Sequence, residues 1–177
     1  MKFRSYGAAV AAALGALLGA APACAHVTLN PNEGVADKYF RTALRVSHGC
    51  KTSPTVAVRI KMPDGVLSVK PQSKHGWAVT ITRRPLPTPV RSGHGTMIFD
   101  QVDVIEWRGG PLADTHFDEF GLVMKLPAAP NATLWFPTVQ ECQEGKNQWV
   151  EIPAGEQKWQ DLKEPAPFVR LRKGSVQ

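Results

Sequence analysis

The feature that most constrains this chain is a series of short alternating segments cut apart by proline and glycine. Tyr39 to Val46, Val56 to Met62, Trp77 to Thr82, Met97 to Trp107, Phe117 to Leu126, Thr133 to Phe136 and Gln148 to Ile152 all read as strands. Within the second, Val56, Val58, Ile60 and Met62 share one face, because side chains alternate sides along a strand. Pro63-Asp64-Gly65 then supplies a turn, with Pro presetting φ and Gly taking the open position. No sustained helical period follows anywhere in the chain. Strands of this length with turn signals between them predict an all-β protein, an immunoglobulin- or fibronectin-like β-sandwich of roughly 7–9 strands. The stretch from Arg84 to Gly95 holds three prolines and two glycines and is predicted to be a loop, since proline is excluded from sheet interiors. Beyond Pro153 the chain turns polar, with Pro165, Pro167 and a basic end at 170–173. A segment of that kind is expected to be partly ordered at best.

The chain begins with a different pattern. Lys2 and Arg4 precede an apolar run from Ala8 to Ala21, which ends at Ala23-Cys24-Ala25. A positive start, a short apolar stretch and a small-x-small end mark a cleavable signal peptide over 1–25. The run is too short and too rich in Ala and Gly for a membrane span, which needs about 20 apolar residues. A lipidated Cys24 is the competing cut, on a weak match to the lipoprotein pattern. Cleavage after Ala25 places the mature domain at 26–155 and the polar tail at 156–177, about 150 residues and enough for one core. No second apolar stretch follows, so no transmembrane helix is expected in the mature chain, and the location is periplasmic or secreted. The leader takes two basic charges with it, lowering the formal charge from +6 to +4. The remaining basic residues are scattered, without interleaved aromatics, which argues against nucleic-acid binding.

Two cysteines survive that cut, Cys50 and Cys142. In an oxidising compartment an even pair reads as a disulfide, here closing a loop of about 90 residues for on the order of 4 kcal/mol. A thiolate site for Cu(I) is the sharper alternative, weakened by the lack of CxxC spacing. His26 would become the first residue. An N-terminal histidine offers its α-amine and Nδ1 together, closing a six-membered chelate ring, and nitrogen donors in a tetragonal plane suit Cu(II). The plainer possibility is that His26 merely follows a cleavage site. His75 and His94 read as solvated loop residues and His116 as a local cap. Trp77, Trp107 and Trp135 read as core. Asp118 and Glu119 are adjacent on a strand and face opposite sides, so they form no catalytic carboxylate pair. No Gly-rich phosphate loop or nucleophile elbow is present.

Several stretches carry a resemblance. They are His26-Val27-Thr28-Leu29-Asn30-Pro31-Asn32-Glu33, Arg45-Val46-Ser47-His48-Gly49-Cys50, Val66 to Pro71, Gly76-Trp77, Phe117 to Leu122, and Phe136-Pro137-Thr138-Val139-Gln140-Glu141-Cys142. In order and spacing they resemble the YcnI-like family of extracytoplasmic copper-binding domains, over about 26–152. The resemblance implies that His26 grips Cu(II) through its amine and ring in a single-histidine brace, and that Trp149 lies near the metal. Some members complete the site with a glutamate where this chain reads Ser47-His48-Gly49-Cys50. That departure makes His48 the expected remaining ligand, with Glu33 behind it.

The resulting expectation is a periplasmic copper carrier or metallochaperone and not an enzyme. It would hold Cu(II), with Cu(I) also open, and pass it to other periplasmic or membrane copper-handling proteins. Two alternatives stand beside it: a copper oxygenase of the histidine-brace type, for which His48 would be the second in-plane histidine, and an immunoglobulin-like interaction module without metal.

Overall fold

The computed structural model describes residues 26–93 and 95–174. The expected signal peptide, with Cys24, lies outside the described residues, as does His94. The described chain runs β1 (Thr28–Asn30), β2 (Glu33–Val35), β3 (Tyr39–Val46), β4 (Thr55–Lys61), β5 (Leu67–Pro71), β6 (Trp77–Arg91) and β7 (Met97–Leu112). It continues with β8 (Asp118–Lys125), β9 (Thr133–Trp135), β10 (Thr138–Cys142), β11 (Lys146–Trp149), a single 3-10 turn (Trp159–Asp161) and β12 (Phe168–Arg172). Three sheets form, in the orders β1-β3-β8-β5, β11-β10-β4-β7-β6 and β2-β12-β9.

The larger two sheets enclose the core. From the four-stranded sheet, Leu44, Val46, Phe120, Leu122 and Met124 point inward; Val58, Ile60, Ile105 and Trp107 meet them from the five-stranded sheet. Trp107 is fully buried, tilted against Phe120 at 5.4 Å between ring centroids. Its indole N–H donates to the Gln72 carbonyl at 3.0 Å, which satisfies the polar end that a buried tryptophan must place. The all-β sandwich expectation is thus realised: among the described residues the two larger sheets hold nine strands, and the third sheet adds three.

Three local readings change. On β4 the shared face holds for Val58, Ile60 and Met62, but Val56 is only half-buried. In the pairing with β10, the adjacent Glu141 and Cys142 face Ala57 and Thr55, so β4 carries one residue more there, and such a bulge breaks the alternation of faces. The segment expected to be a loop from Arg84 to Gly95 is strand as far as Arg91. Here β6 is the edge of its sheet and pairs with β7 alone, so Pro85, Pro87 and Pro89 need give no N–H to a second neighbour. The register with β7 breaks between Pro85 and Val90, where the prolines cluster. The tail is also corrected. β12 pairs parallel to β2 and antiparallel to β9, and buries Val169 and Leu171. Its alternating residues outweigh the prolines and basic charges around them. Residues up to Arg172 therefore belong to the folded domain, beyond the expected boundary at 155.

Candidate metal centre

One end of the sandwich gathers four aromatic side chains. His26 precedes β1, whose entry is fixed by the buried Val27 and Leu29. His48 lies in the loop that leaves β3. Trp149 closes β11, and Trp159 opens the 3-10 turn of the tail. The His26 ring meets Trp149 at 5.8 Å and Trp159 at 5.0 Å between centroids, edge-on in both cases. The His48 ring meets the same Trp149 at 6.3 Å. The three residues singled out from sequence, His26, His48 and Trp149, are therefore brought together, with the indole as their common neighbour. Glu33 goes elsewhere: its carboxylate pairs with Arg172 at 3.4 Å.

The His48 ring is oriented by its own loop. Its Nδ1 lies 2.6 Å from the Gly49 carbonyl oxygen, which can only accept, so Nδ1 carries a hydrogen, and in the neutral ring Nε2 is then the nitrogen with the lone pair. This is the arrangement that metal-binding histidines use to fix their tautomer. The loop itself has little freedom. Cys50 and Ser53 exchange backbone hydrogen bonds at 3.0 and 3.1 Å, and a Cβ at Gly49 would lie 2.0 Å from the Ser53 carbonyl oxygen. Glycine is required there by close approach. The Gly49 N–H donates to Asp114 Oδ1 at 2.8 Å. Cys50 and Cys142 form a disulfide, with Cα atoms 5.9 Å apart. It ties the loop leaving β3 to the end of β10, and so joins the two main sheets beside His48.

Electrostatics at this end favour a neutral His26 ring. Burial, and then the neighbouring His48, hold the His26 imidazole below its ordinary pKa. Only a neutral imidazole donates to a metal. Among the described residues no three of His, Cys, Asp and Glu come together. The donors present are thus two imidazoles, and a third nitrogen would come from the α-amine that cleavage before His26 would create. Such a nitrogen set fits copper better than it fits calcium or magnesium, which take oxygen.

Other candidates fall away from this end. Asp118 pairs with Lys74 at 2.6 Å and Glu119 with Arg45 at 2.9 Å, as two separate ion pairs. His75 and His116 are exposed. Trp107 is core, and Trp77 packs partly buried against it. Trp159 was not singled out from sequence, because it lies in the tail read as poorly ordered. Its indole N–H donates to the Ala166 carbonyl at 2.8 Å and its ring touches Phe168. The only sequence signal for it is the alternation of β12, which holds that tail in place.

Fold and site together define an all-β, disulfide-linked sandwich domain with a histidine–tryptophan cluster at one end. Residues 26–171 match the family described as a domain of unknown function (DUF1775), and the chain belongs to that family. A crystal structure of an uncharacterized protein from Nocardia farcinica, described as having an immunoglobulin-like fold, superposes with a TM-score of 0.63 at 22% identity. The match covers 83% of this chain and 98% of that one. At that identity the likeness establishes the fold, which is immunoglobulin-like. No curated protein matches the chain. Among the described residues no helix is long and apolar enough to cross a membrane. The disulfide is of the kind that persists in oxidising compartments.

Proposed function

We propose that this domain is a YcnI-like copper carrier of the periplasm or cell exterior, with Cu(II) as its cargo. The mature chain begins at His26, whose amine and ring nitrogen form the brace, and His48 supplies a further nitrogen through Nε2. Trp149 packs against both rings and shields the site from water. The observation that carries this reading is the convergence of His26 and His48 on Trp149, with the His48 tautomer set by the Gly49 carbonyl. The family match adds support, because it starts at the residue expected to follow the leader.

The same pair of imidazoles is the reason a brace-type copper oxygenase remains the second reading. Copper-dependent oxidation of a glycan would favour that enzyme, and a protein that takes up no copper would be an interaction module.

The test uses the processed protein and two variants. His26→Ala removes the ring and keeps an amine. One extra residue ahead of His26 keeps the ring but turns the amine into an amide, which donates no lone pair without losing its proton. Cu(II) titration is followed by quenching of the indoles next to His26 and by electron paramagnetic resonance. Both variants are expected to lose binding by about 100-fold or more, the range in which loss of a supporting contact already costs 10–100-fold. If the extended protein binds copper as tightly as the native one, the brace is wrong.

A further inference from the structure

Gln140 is fully buried on β10, and its amide ties the supports of the histidine pair to one another. Nε2 donates to the His48 carbonyl at 2.6 Å and to Thr55 Oγ1 at 2.7 Å. Oε1 accepts from Asn147 Nδ2 and from Trp149 Nε1, each at 3.1 Å. A primary amide has two N–H donors and two acceptor lone pairs, so all four are in use. The partners come from three elements: the loop leaving β3, the start of β4, and β11. Two residues further along β10, Cys142 binds Cys50. The His48 loop is therefore held to β10 at two points, by an amide and by a disulfide.

We propose that Gln140 is the positioning residue of this centre. By holding the His48 main chain and the Trp149 indole in one relative placement, it sets how the His48 imidazole is presented. For its ligand the proposal rests on the copper reading; its geometry stands without it. No other side chain of this size serves. A glutamate would still accept from Trp149 and Asn147, but its oxygens would face the His48 carbonyl and repel it. A methionine would fill the volume and leave buried donors and acceptors unmet, each at a cost. With the His48 peptide released, its ring loses the fixed approach of Nδ1 to the Gly49 carbonyl.

The experiment compares the processed native protein with Gln140→Met and Gln140→Glu. In the copper-free proteins, nitrogen-15 NMR reads the His48 tautomer. The native ring is expected to be a single Nδ1–H form and the variants a mixture. With Cu(II), both variants are expected to bind about tenfold or more weakly and to give a changed paramagnetic resonance spectrum, as for lost supporting contacts at other metal sites. A lowered melting temperature with native tautomer and native spectrum would make Gln140 a structural residue only, and would overturn the proposal. Should neither variant fold, scalar coupling across the hydrogen bond from Gln140 Nε2 to the His48 carbonyl is measured in the native protein, and its absence overturns the proposal equally. If the native protein takes up no Cu(II) but its His48 tautomer depends on Gln140, the copper reading falls and the positioning role stands.

Discussion

Replacing both half-cystines, as Cys50→Ala with Cys142→Ala, asks how much the link between the two main sheets contributes. The bonded residues are 92 apart in sequence, so the unfolded chain loses the freedom of a long loop. On the chain-entropy model a loop of that length corresponds to about 4.6 kcal/mol at 25 °C. For a domain of about 150 residues, 1 kcal/mol moves the melting temperature by roughly 2–4 °C. The expected fall is therefore roughly 9–18 °C, with residual structure in the unfolded chain acting to reduce it. Both sulfurs are buried, so the small voids left by alanine act in the opposite direction. Calorimetry of the double variant, set beside native protein scanned with and without reductant, provides the assay. The variant and the reduced native protein are expected to melt together, well below the oxidised protein. A double variant melting within about 3 °C of the native protein would refute the entropic reasoning at this loop length. Stoichiometric thiol labelling of the unreduced native protein would refute the bond itself.

Two further outcomes follow from packing and charge. Leu171→Ala, at a residue 2% exposed on β12, is expected to cost about 2–5 kcal/mol in urea denaturation; a loss under about 1 kcal/mol would mean that the tail is not part of the core. For Glu106, burial pushes the carboxyl pKa up, but hydrogen bonds and charge from Arg59 and Arg108 outweigh it and hold the pKa below the ordinary value. A carboxylate depressed in this way stabilises the fold above the ordinary glutamate pKa, and the contribution fades as pH falls through the lower folded value. Glu106→Gln is therefore expected to flatten the fall of melting temperature below about pH 5, and coincident acid limbs would sink the idea.

How much of this molecule could be read from its residues depends on what each strand buries. β3 and most of β4 were legible because their inward positions are apolar and their outward ones polar. β10 shows the opposite case. It points Thr138, Gln140 and Cys142 inward and leaves Val139 half-buried on the other side. A hydrophobicity pattern sees such a strand inside out, because its buried face is spent on hydrogen bonds and a disulfide. The strands β1 and β2, of three residues each, are too short for any period to register, whereas β9, equally short, was read within the Thr133–Phe136 segment. β12 alternates cleanly, yet the prolines before it and the basic residues within it masked that signal. The candidate site divides the same way. His26 and the cysteine pair stand out by residue type, and His48 and Trp149 by resemblance. Trp159 and Gln140 act through contacts with residues distant in sequence, and no local pattern announces them.

The two imidazoles are held very unequally, and that inequality bears on what the centre is for. His48 is fixed by its bond to the Gly49 carbonyl, by Gln140 on its main chain and by the disulfide two residues on. Its geometry is set before any ligand arrives, which lowers the ordering cost of binding. His26 stands ahead of the first strand, and its ring is met by two indole edges. Contacts of that kind position a ring without locking its hydrogen-bonding state. An oxygenase would gain from fixing both in-plane donors, since a reacting centre depends on preorganised geometry at every ligand. A carrier has the opposite need: one donor must yield when cargo passes to a partner. With the rigid donor in the tied loop after β3 and the yielding one ahead of β1, transfer from the proposed carrier would begin at His26. That arrangement suits the carrier we propose, and loss of Cu(II) to a chelator from the His26 side first is what it predicts.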